Sequence, residues 1–233
     1  MALFKKTDDR LSVSSSSIIT HGSTIIGNII GNDSIHIEGD IQGDIKVNNV
    51  VFIGKNAKVT GNIKANQVIS SGKCYGNIIC NALEFLETSS TKGNIKANKM
   101  LVKGDFNGSV ICSGLFIDYG TKIEADIQAK NVIVGGTIEG IVACKSLKIT
   151  KDGHVKAQIY TDNIENNGGI LEGSIGSYTD FINTKPQLRR YADIFNSLDE
   201  APLLEYDDYY VDIDEEIRKK NEIDDDFIDV SYT

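Results

Sequence analysis

The 233-residue sequence contains no tryptophan, only two prolines and no long run of apolar residues. No segment approaches the roughly 18 apolar residues of a membrane-spanning helix, and the start, MALFKKTDDRLSVSSSS, lacks the apolar stretch of a signal peptide. We therefore expect a cytosolic protein. Its four cysteines, Cys74, Cys80, Cys112 and Cys144, are then expected to be reduced thiols.

A basic surface is also missing. The net charge of −9 comes from one end of the chain, because residues 199–233 hold fourteen Asp and Glu against three Lys and Arg. The rest of the chain is close to neutral, so its body has neither the basic stripe of a nucleic-acid-binding protein nor an anionic face. We expect no nucleic-acid partner.

The sequence does contain an internal repeat of 32 residues. The segment GNIKANQVISSGKCYGNIIC at residues 61–80 returns as GNIKANKMLVKGDFNGSVIC at residues 93–112. Each repeat divides into two units, because a small residue, usually followed by a polar residue and then by Ile or Val, recurs every 15 to 17 residues. These small residues are Gly61, Gly76, Gly93, Gly108, Ala125, Gly140, Ala157 and Gly173. Such periodicity indicates a solenoid, in which stacked units bury a common core.

Units of this length with alternating apolar positions leave no room for a helix, so we predict short strands. Alternation directs Ile63, Ala65 and Val68 inward and Lys64 and Asn66 to solvent. With the units upstream of residue 61, the predicted fold is an all-β, parallel β-helix (solenoid) of about nine coils, ~43 Å long at ~4.8 Å per coil.

The small residue of each unit is expected to mark a corner. Because Ala125 and Ala157 replace glycine in this column, we predict that the corner excludes bulk and does not need a positive φ. A second small column, Gly72, Gly104 and Gly136, is expected to mark another corner.

The cysteine and histidine patterns favour structural roles over catalysis or metal binding. Cys80, Cys112 and Cys144 recur every second coil, ~9.6 Å apart, which is beyond the reach of a disulfide, so we interpret them as small buried hydrophobes. His21, His36 and His154 lie too far apart along the rod to share a metal ion. We therefore predict no catalytic, metal or cofactor residues.

The pattern resembles the bactofilin family of bacterial polymer-forming cytoskeletal proteins. The resemblance is carried by IHIEGDIQGDIKVNNVVFIGKNAKVTGNIKA at residues 35–65 and by the Gly-polar-Ile units that follow, and it covers residues 20–182. It implies a right-handed β-helix that polymerises end to end into nucleotide-independent, nonpolar filaments. It also implies a nonenzymatic scaffold at the inner face of the cytoplasmic membrane, which recruits cell-shape or cell-wall synthesis and morphogenesis proteins and has no small-molecule substrate.

One alternative function remains open, a hexapeptide-repeat acyltransferase, which is also a β-solenoid and uses a histidine base between subunits. The alternation of 15 and 17 residues departs from coils built of regular multiples of six. Among the histidines, only His154 lies deep in the repeat array.

The ends of the predicted rod are candidate polymer interfaces, because an open stack exposes unpaired strand edges and apolar columns. We predict that the first coil, around Ile25 and Ile29, meets the first coil of another copy. The last coil, around Ile175, Phe181 and Ile182, is predicted to pair likewise. An outward apolar stripe of Ile69, Leu101 and Ile133 leaves lateral bundling open.

We divide the chain into four parts: a flexible N-terminal tail (1–17), the β-helix (18–183), an amphipathic helix (184–200) and an acidic, mostly disordered tail (201–233). In the N-terminal tail, Leu3, Phe4, Lys5 and Lys6 combine apolar and basic groups suited to contact with a membrane surface. The segment 184–200 has Leu188, Tyr191, Phe195 and Leu198 at helical spacing, and it either flanks the last coil, docks a partner or regulates assembly.

Overall fold

The computed structural model describes residues 16–179 and residue 181. They form one parallel β-solenoid of about ten coils, so the predicted all-β solenoid is confirmed with one coil more than we counted. We number the coils by the small residue at one corner, from Gly27 in coil 1 to Gly173 in coil 10.

The strands run from Ser16 to Gly176. In the first half of the rod they are short: β1 (Ser16–Ile19), β2 (Thr24–Ile26), β3 (Ile29–Gly31), β4 (Ser34–Ile37), β5 (Asp40–Gln42), β6 (Ile45–Val47), β7 (Val50–Ile53), β8 (Lys58–Thr60), β9 (Ile63–Lys64), β10 (Gln67–Ser70), β11 (Lys73–Tyr75), β12 (Ile78–Ile79) and β13 (Ala82–Phe85). In the second half they continue around the corners: β14 (Ser90–Val102), β15 (Asp105–Ile117), β16 (Lys122–Val134), β17 (Thr137–Ile149), β18 (His154–Asn166) and β19 (Ile170–Gly176).

The coils present three faces, because each strand pairs in parallel only with the equivalent strands of neighbouring coils. The first face contains β1, β4, β7, β10 and β13, the second contains β2, β5, β8 and β11, and the third contains β3, β6, β9 and β12. Strand β14 contributes to all three faces, since it pairs with β11, β12 and β13 in turn.

The interior is built from columns of equivalent side chains. Ile63, Ala65 and Val68 are buried as predicted, whereas Lys64 and Asn66 are partly exposed. One inward column on the third face runs the whole length of the rod: Ile29, Ile45, Ile63, Ile78, Ile95, Val110, Ile127, Val142, Ile159 and Ile175. Fully burying each of these side chains stabilises the fold by roughly 1.5–3 kcal/mol, but only where a coil lies on both sides.

The glycine corner corrects one prediction. Eight glycines of the column have φ between +129° and +151°, so the backbone does adopt a conformation that favours glycine. Bulk is excluded as well, because a Cβ on Gly108 would overlap the carbonyl oxygen of Gly93. At Ala125 and Ala157 the φ is negative, so the backbone itself changes where alanine replaces glycine.

The second small column behaves as predicted. Gly72, Gly104 and Gly136 have no positive φ, and a Cβ at any of them would overlap backbone carbonyl oxygens of the coil below. This corner therefore excludes bulk for a steric reason alone.

An asparagine ladder follows the glycine corner in the first five coils. The Asn94 side chain and backbone N–H groups both donate to Asn77 Oδ1, at 3.1 and 3.2 Å, and the Asn77 backbone N–H donates to Asn62 Oδ1 at 3.1 Å. Asn62 donates in the same way to Asp44 Oδ1, and the Asp44 backbone N–H donates to Asn28 Oδ1 at 2.9 Å. The ladder satisfies backbone donors at the turn, where the strand pairing is interrupted.

Candidate assembly interface

The N-terminal end of the rod presents unpaired strand edges. Among the described residues, β1, β2 and β3 pair only with β4, β5 and β6, on one side. Their other edges carry backbone N–H and C=O groups that can pair with a strand of another chain.

The apolar side chains of coil 1 lie beside these edges. Ile25 and Ile29 are half-buried and pack against the core, since each begins an inward column that has a coil on one side only. Ile18, Ile26 and Ile30 point outward and are exposed. The two residues predicted for this interface are therefore placed together at the first open end.

The C-terminal end also exposes an inward column. Ile175 is 57% exposed, whereas Ile159, the residue beneath it in the same inward column, is 1% exposed. Within the described part of the chain, β19 pairs only with β18, and the Asn163–Asn166 stretch of β18 has no partner on its outer side. The exposure of Ile175 thus matches its place in the last coil of the described residues.

Three apolar residues at this end were not predicted. Ile164 and Leu171 are partly buried at the ends of inward columns, and Ile170 is exposed beside them. Their signal was present in the repeat, because Leu171 continues the register Ile123, Ile138 and Val155.

Phe181 lies on the side of the rod and not on its open edge. The side chain is 3% exposed, its ring centroid is 5.2 Å from that of Tyr160, and it lines a narrow cleft with Ile111, Ile127 and Ile141. The chain therefore turns back after β19 and runs against the third face. Ile182 lies outside the described residues.

Charged groups border the C-terminal end. Lys148 Nζ is 3.0 Å from Glu165 Oε1, and His154 Nε2 is 3.5 Å from Glu172 Oε1. A hydrogen bond from Lys148, with a second from Asn167, lowers the pKa of the exposed Glu165 carboxyl. The end therefore combines an open apolar column with a charged margin, as protein interfaces commonly do.

The cysteines occupy the interior. Cys80, Cys112 and Cys144 alternate with Ala65, Ala97 and Ala129 in one inward column, and all four cysteines are buried free thiols. Burial raises the pKa of Cys112 to about 12 and that of Cys144 to about 11. These neutral thiols pack as small apolar groups.

The histidines remain separated, as the repeat spacing predicted. His36 Nε2 is 2.8 Å from Glu38 Oε1 in coil 2, while His154 faces Glu172 near the other end of the rod. Within residues 16–179, no three His, Cys, Asp or Glu side chains converge as a metal site requires.

The predicted membrane contact at Leu3, Phe4, Lys5 and Lys6 lies outside the described residues, as do the segment 184–200 and the acidic tail 201–233. In the part that the structure describes, no helix has the length and apolar character needed to cross a bilayer.

Comparison with known proteins gives one finding. A family model described as "Bactofilin: Polymer-forming cytoskeletal" matches the chain twice, over residues 17–103 and 97–176. The first match contains the corner glycines of coils 1–5, and the second contains the corner residues of coils 6–10. Neither the curated proteins nor the solved structures include a match to this chain.

Proposed function

The chain belongs to the bactofilin family of polymer-forming cytoskeletal proteins, and we propose that it polymerises end to end, without nucleotide, through the two open ends of its solenoid. The observation that carries this proposal is the inward column that ends at Ile175, with 57% of that side chain exposed. A second copy that continues the stack would bury this residue and pair the free edge of β19. Both contributions come from the protein alone, so assembly requires no bound ligand.

We propose that like ends meet. Coil 1 of one copy, with Ile25 and Ile29, contacts coil 1 of another copy, and coil 10, with Ile175, contacts coil 10 of a third. Such contacts are isologous, so each apolar residue contributes twice per junction. The resulting filament is nonpolar, as the resemblance to bactofilins implies.

Phe181 and Ile182 enter this proposal indirectly. Because Phe181 is buried against Tyr160 within one copy, it supports the C-terminal contact by holding the chain beside the last coils. Ile182 follows it in the sequence and is proposed to act in the same region.

Purified full-length protein provides the direct test. Electron microscopy should show filaments equally with and without added nucleotide. Discrete trimers would favour the acyltransferase alternative, and a protein that stays monomeric at high concentration in physiological buffer would contradict the proposal. The family match favours the scaffold over the acyltransferase.

We propose further that the filament lies on the inner face of the cytoplasmic membrane. A single segment with Leu3, Phe4, Lys5 and Lys6 binds an anionic surface weakly, but a filament presents many copies at high effective concentration. Deleting residues 2–6 should abolish co-sedimentation with vesicles that contain anionic lipid. Unchanged co-sedimentation would exclude this segment as the anchor, and vesicles of neutral lipid serve as the control.

The scaffold is proposed to act without catalysis. Its tails, residues 1–17 and 201–233, are proposed to recruit proteins of cell shape or cell-wall synthesis. The acidic tail 201–233, with Tyr206, Tyr209 and Phe227 among its carboxylates, is the proposed recruitment segment.

A further inference from the structure

The third face of the rod carries buried apolar residues outside the interior core. Ile79, Ala143 and Phe181 are 6%, 0% and 3% exposed, yet none belongs to the interior cluster. Ile79 directly follows the inward Ile78 in β12, and successive side chains of a strand point to opposite sides. The Ile79 side chain therefore points out of the solenoid and is nevertheless covered.

The burial of residues along the outward column that contains Ile79 shows which coils are covered on the third face. In register, this column is Ile30, Lys46, Lys64, Ile79, Lys96, Ile111, Gln128, Ala143, Tyr160 and Gly176. Ile30 in coil 1 is 80% exposed, whereas Ile79 in coil 4 has the same side chain and orientation but is 6% exposed. Lys64 and Lys96 flank Ile79 and shield it laterally, and a segment lying over the column accounts for the burial of its outer surface. The outward residues of coils 4 and 8 are thus buried, those of coils 5–7 and 9 are half-buried, and that of coil 1 is exposed.

The position of Phe181 shows that the chain after β19 lies against the third face. Strand β19 ends in coil 10, but the Phe181 side chain lies against Tyr160 of coil 9 and beside Ile111, Ile127 and Ile141 of coils 6–8. The chain has therefore reversed direction and descends along the third face. Phe181, the last described residue, thus lies beside coils 6–9 on this face.

The segment that follows has the length and pattern required. From coil 7 to coil 4 is three coil spacings, ~14 Å, and residues 188–198 span ~15 Å as a helix. Leu188, Tyr191, Phe195 and Leu198 form one apolar side at helical spacing. Downstream, the acidic residues 199–233 complement Lys46, Lys64 and Lys96 in the same column.

We propose that residues 184–200 of this chain dock as an amphipathic helix along the third face, with the apolar side over Ile79 and Ile111. The segment flanks the rod and does not cap it, so Ile175 at the C-terminal end stays open. Docking also removes the apolar part of the third face from lateral contact between rods. This inference concerns the side of one copy and is independent of end-to-end polymerisation.

Thiol accessibility in the full-length chain tests the proposal. The native cysteines are buried and their pKa values are raised, so an introduced thiol can be followed against a slow background. We expect the thiol of Ile79→Cys to react with Ellman's reagent more than about tenfold more slowly than the thiol of Ile30→Cys. The two sites share residue type, column and orientation.

A pair of charges on the apolar side of the segment should undo the protection. Tyr191→Asp with Phe195→Asp is expected to bring Ile79→Cys within about twofold of Ile30→Cys, since a buried carboxylate opposes docking. The matched control is Asn196→Asp with Ser197→Asp, which adds the same charge to the polar side and should leave the protection intact.

Three results would overturn the proposal. The first is equal reactivity of Ile79→Cys and Ile30→Cys in the otherwise unchanged chain. The second is protection that survives Tyr191→Asp with Phe195→Asp. The third is protection that disappears on dilution, because a second copy would then be the cover.

Discussion

Replacing Ile175 tests whether the open column at coil 10 is a polymer contact. Full burial of an exposed isoleucine stabilises by about 1.5–3 kcal/mol, and the 57% exposure of Ile175 leaves about 1–1.7 kcal/mol for a partner to supply. In a contact between two equivalent ends the residue contributes twice, or about 2–3.5 kcal/mol per junction. Ile175→Ser should therefore weaken this junction by roughly 30- to 300-fold.

The measurement is the concentration at which the protein sediments as polymer. Ile175→Ser should raise that concentration, while Val50→Ser, at a half-buried position of the first face away from both ends, should leave it unchanged. Circular dichroism and thermal unfolding establish that both variants stay folded. Polymerisation of Ile175→Ser at the unchanged concentration would refute the assignment of this end.

A stronger substitution distinguishes the polarity of the filament. Ile175→Lys places an ammonium group in the proposed C-terminal junction, where its desolvation is costly. If like ends meet, the variant should stop at dimers joined through Ile25 and Ile29, as seen by analytical ultracentrifugation. Monomers would show that coil 10 normally meets coil 1, which contradicts the nonpolar arrangement.

Two further predictions concern the body of the rod. Gly108→Ala should lower the free energy of unfolding by about 1–3 kcal/mol, because φ is +150° at this residue. The control is Gly114→Ala in the same strand, which should be neutral because its added Cβ meets no atom within 4 Å. Equal effects of the two substitutions in urea denaturation would contradict the corner assignment. The thiol column predicts a loss of stability above about pH 9. A thiol of the unfolded chain has a pKa of 9.0, whereas burial raises the pKa of Cys112 to about 12. Between these values the unfolded state alone loses its proton, which lowers the free energy of unfolding by about 1.4 kcal/mol per pH unit per thiol. Cys112→Ala should reduce this slope between pH 9 and 10.5, and an unchanged slope would count against a buried neutral thiol.

The sequence predicts those features that repeat. The sequence predicts that Ile63, Ala65 and Val68 point inward because each has an equivalent 32 residues away, and the same periodicity identifies the alternating Cys and Ala column. Parallel register reproduces such columns directly, since equivalent residues stack in successive coils. The ends follow from the same columns, and continuing the register past Val155 would have added Leu171 to the predicted contacts.

Features without a periodic signal were not predictable. Phe181 follows the last strand, and its position depends on outward residues such as Ile111, Ile141 and Tyr160, which differ from coil to coil. The corner φ differs from the prediction for another reason: Ala125 and Ala157 suggest an ordinary backbone throughout, whereas the backbone changes locally where alanine replaces glycine. A tolerated substitution therefore describes the conformation at its own coil only.

The open ends and the buried interior of this rod have one physical origin. Each coil buries its inner side chains only by stacking, so no coil is different in kind from its neighbours, and the column ending at Ile175 is chemically the same as at Ile159. Exposure rises from 1% to 57% between these residues because, among the described residues, no further coil pairs with β19. A cap would need a different sequence at the last coil, but β19 keeps the repeat pattern with Leu171 and Ile175 inward. A solenoid that keeps its pattern to the last strand thus exposes at its end the same apolar side chains that stabilise its interior when buried. A second copy stacked on this end can bury them.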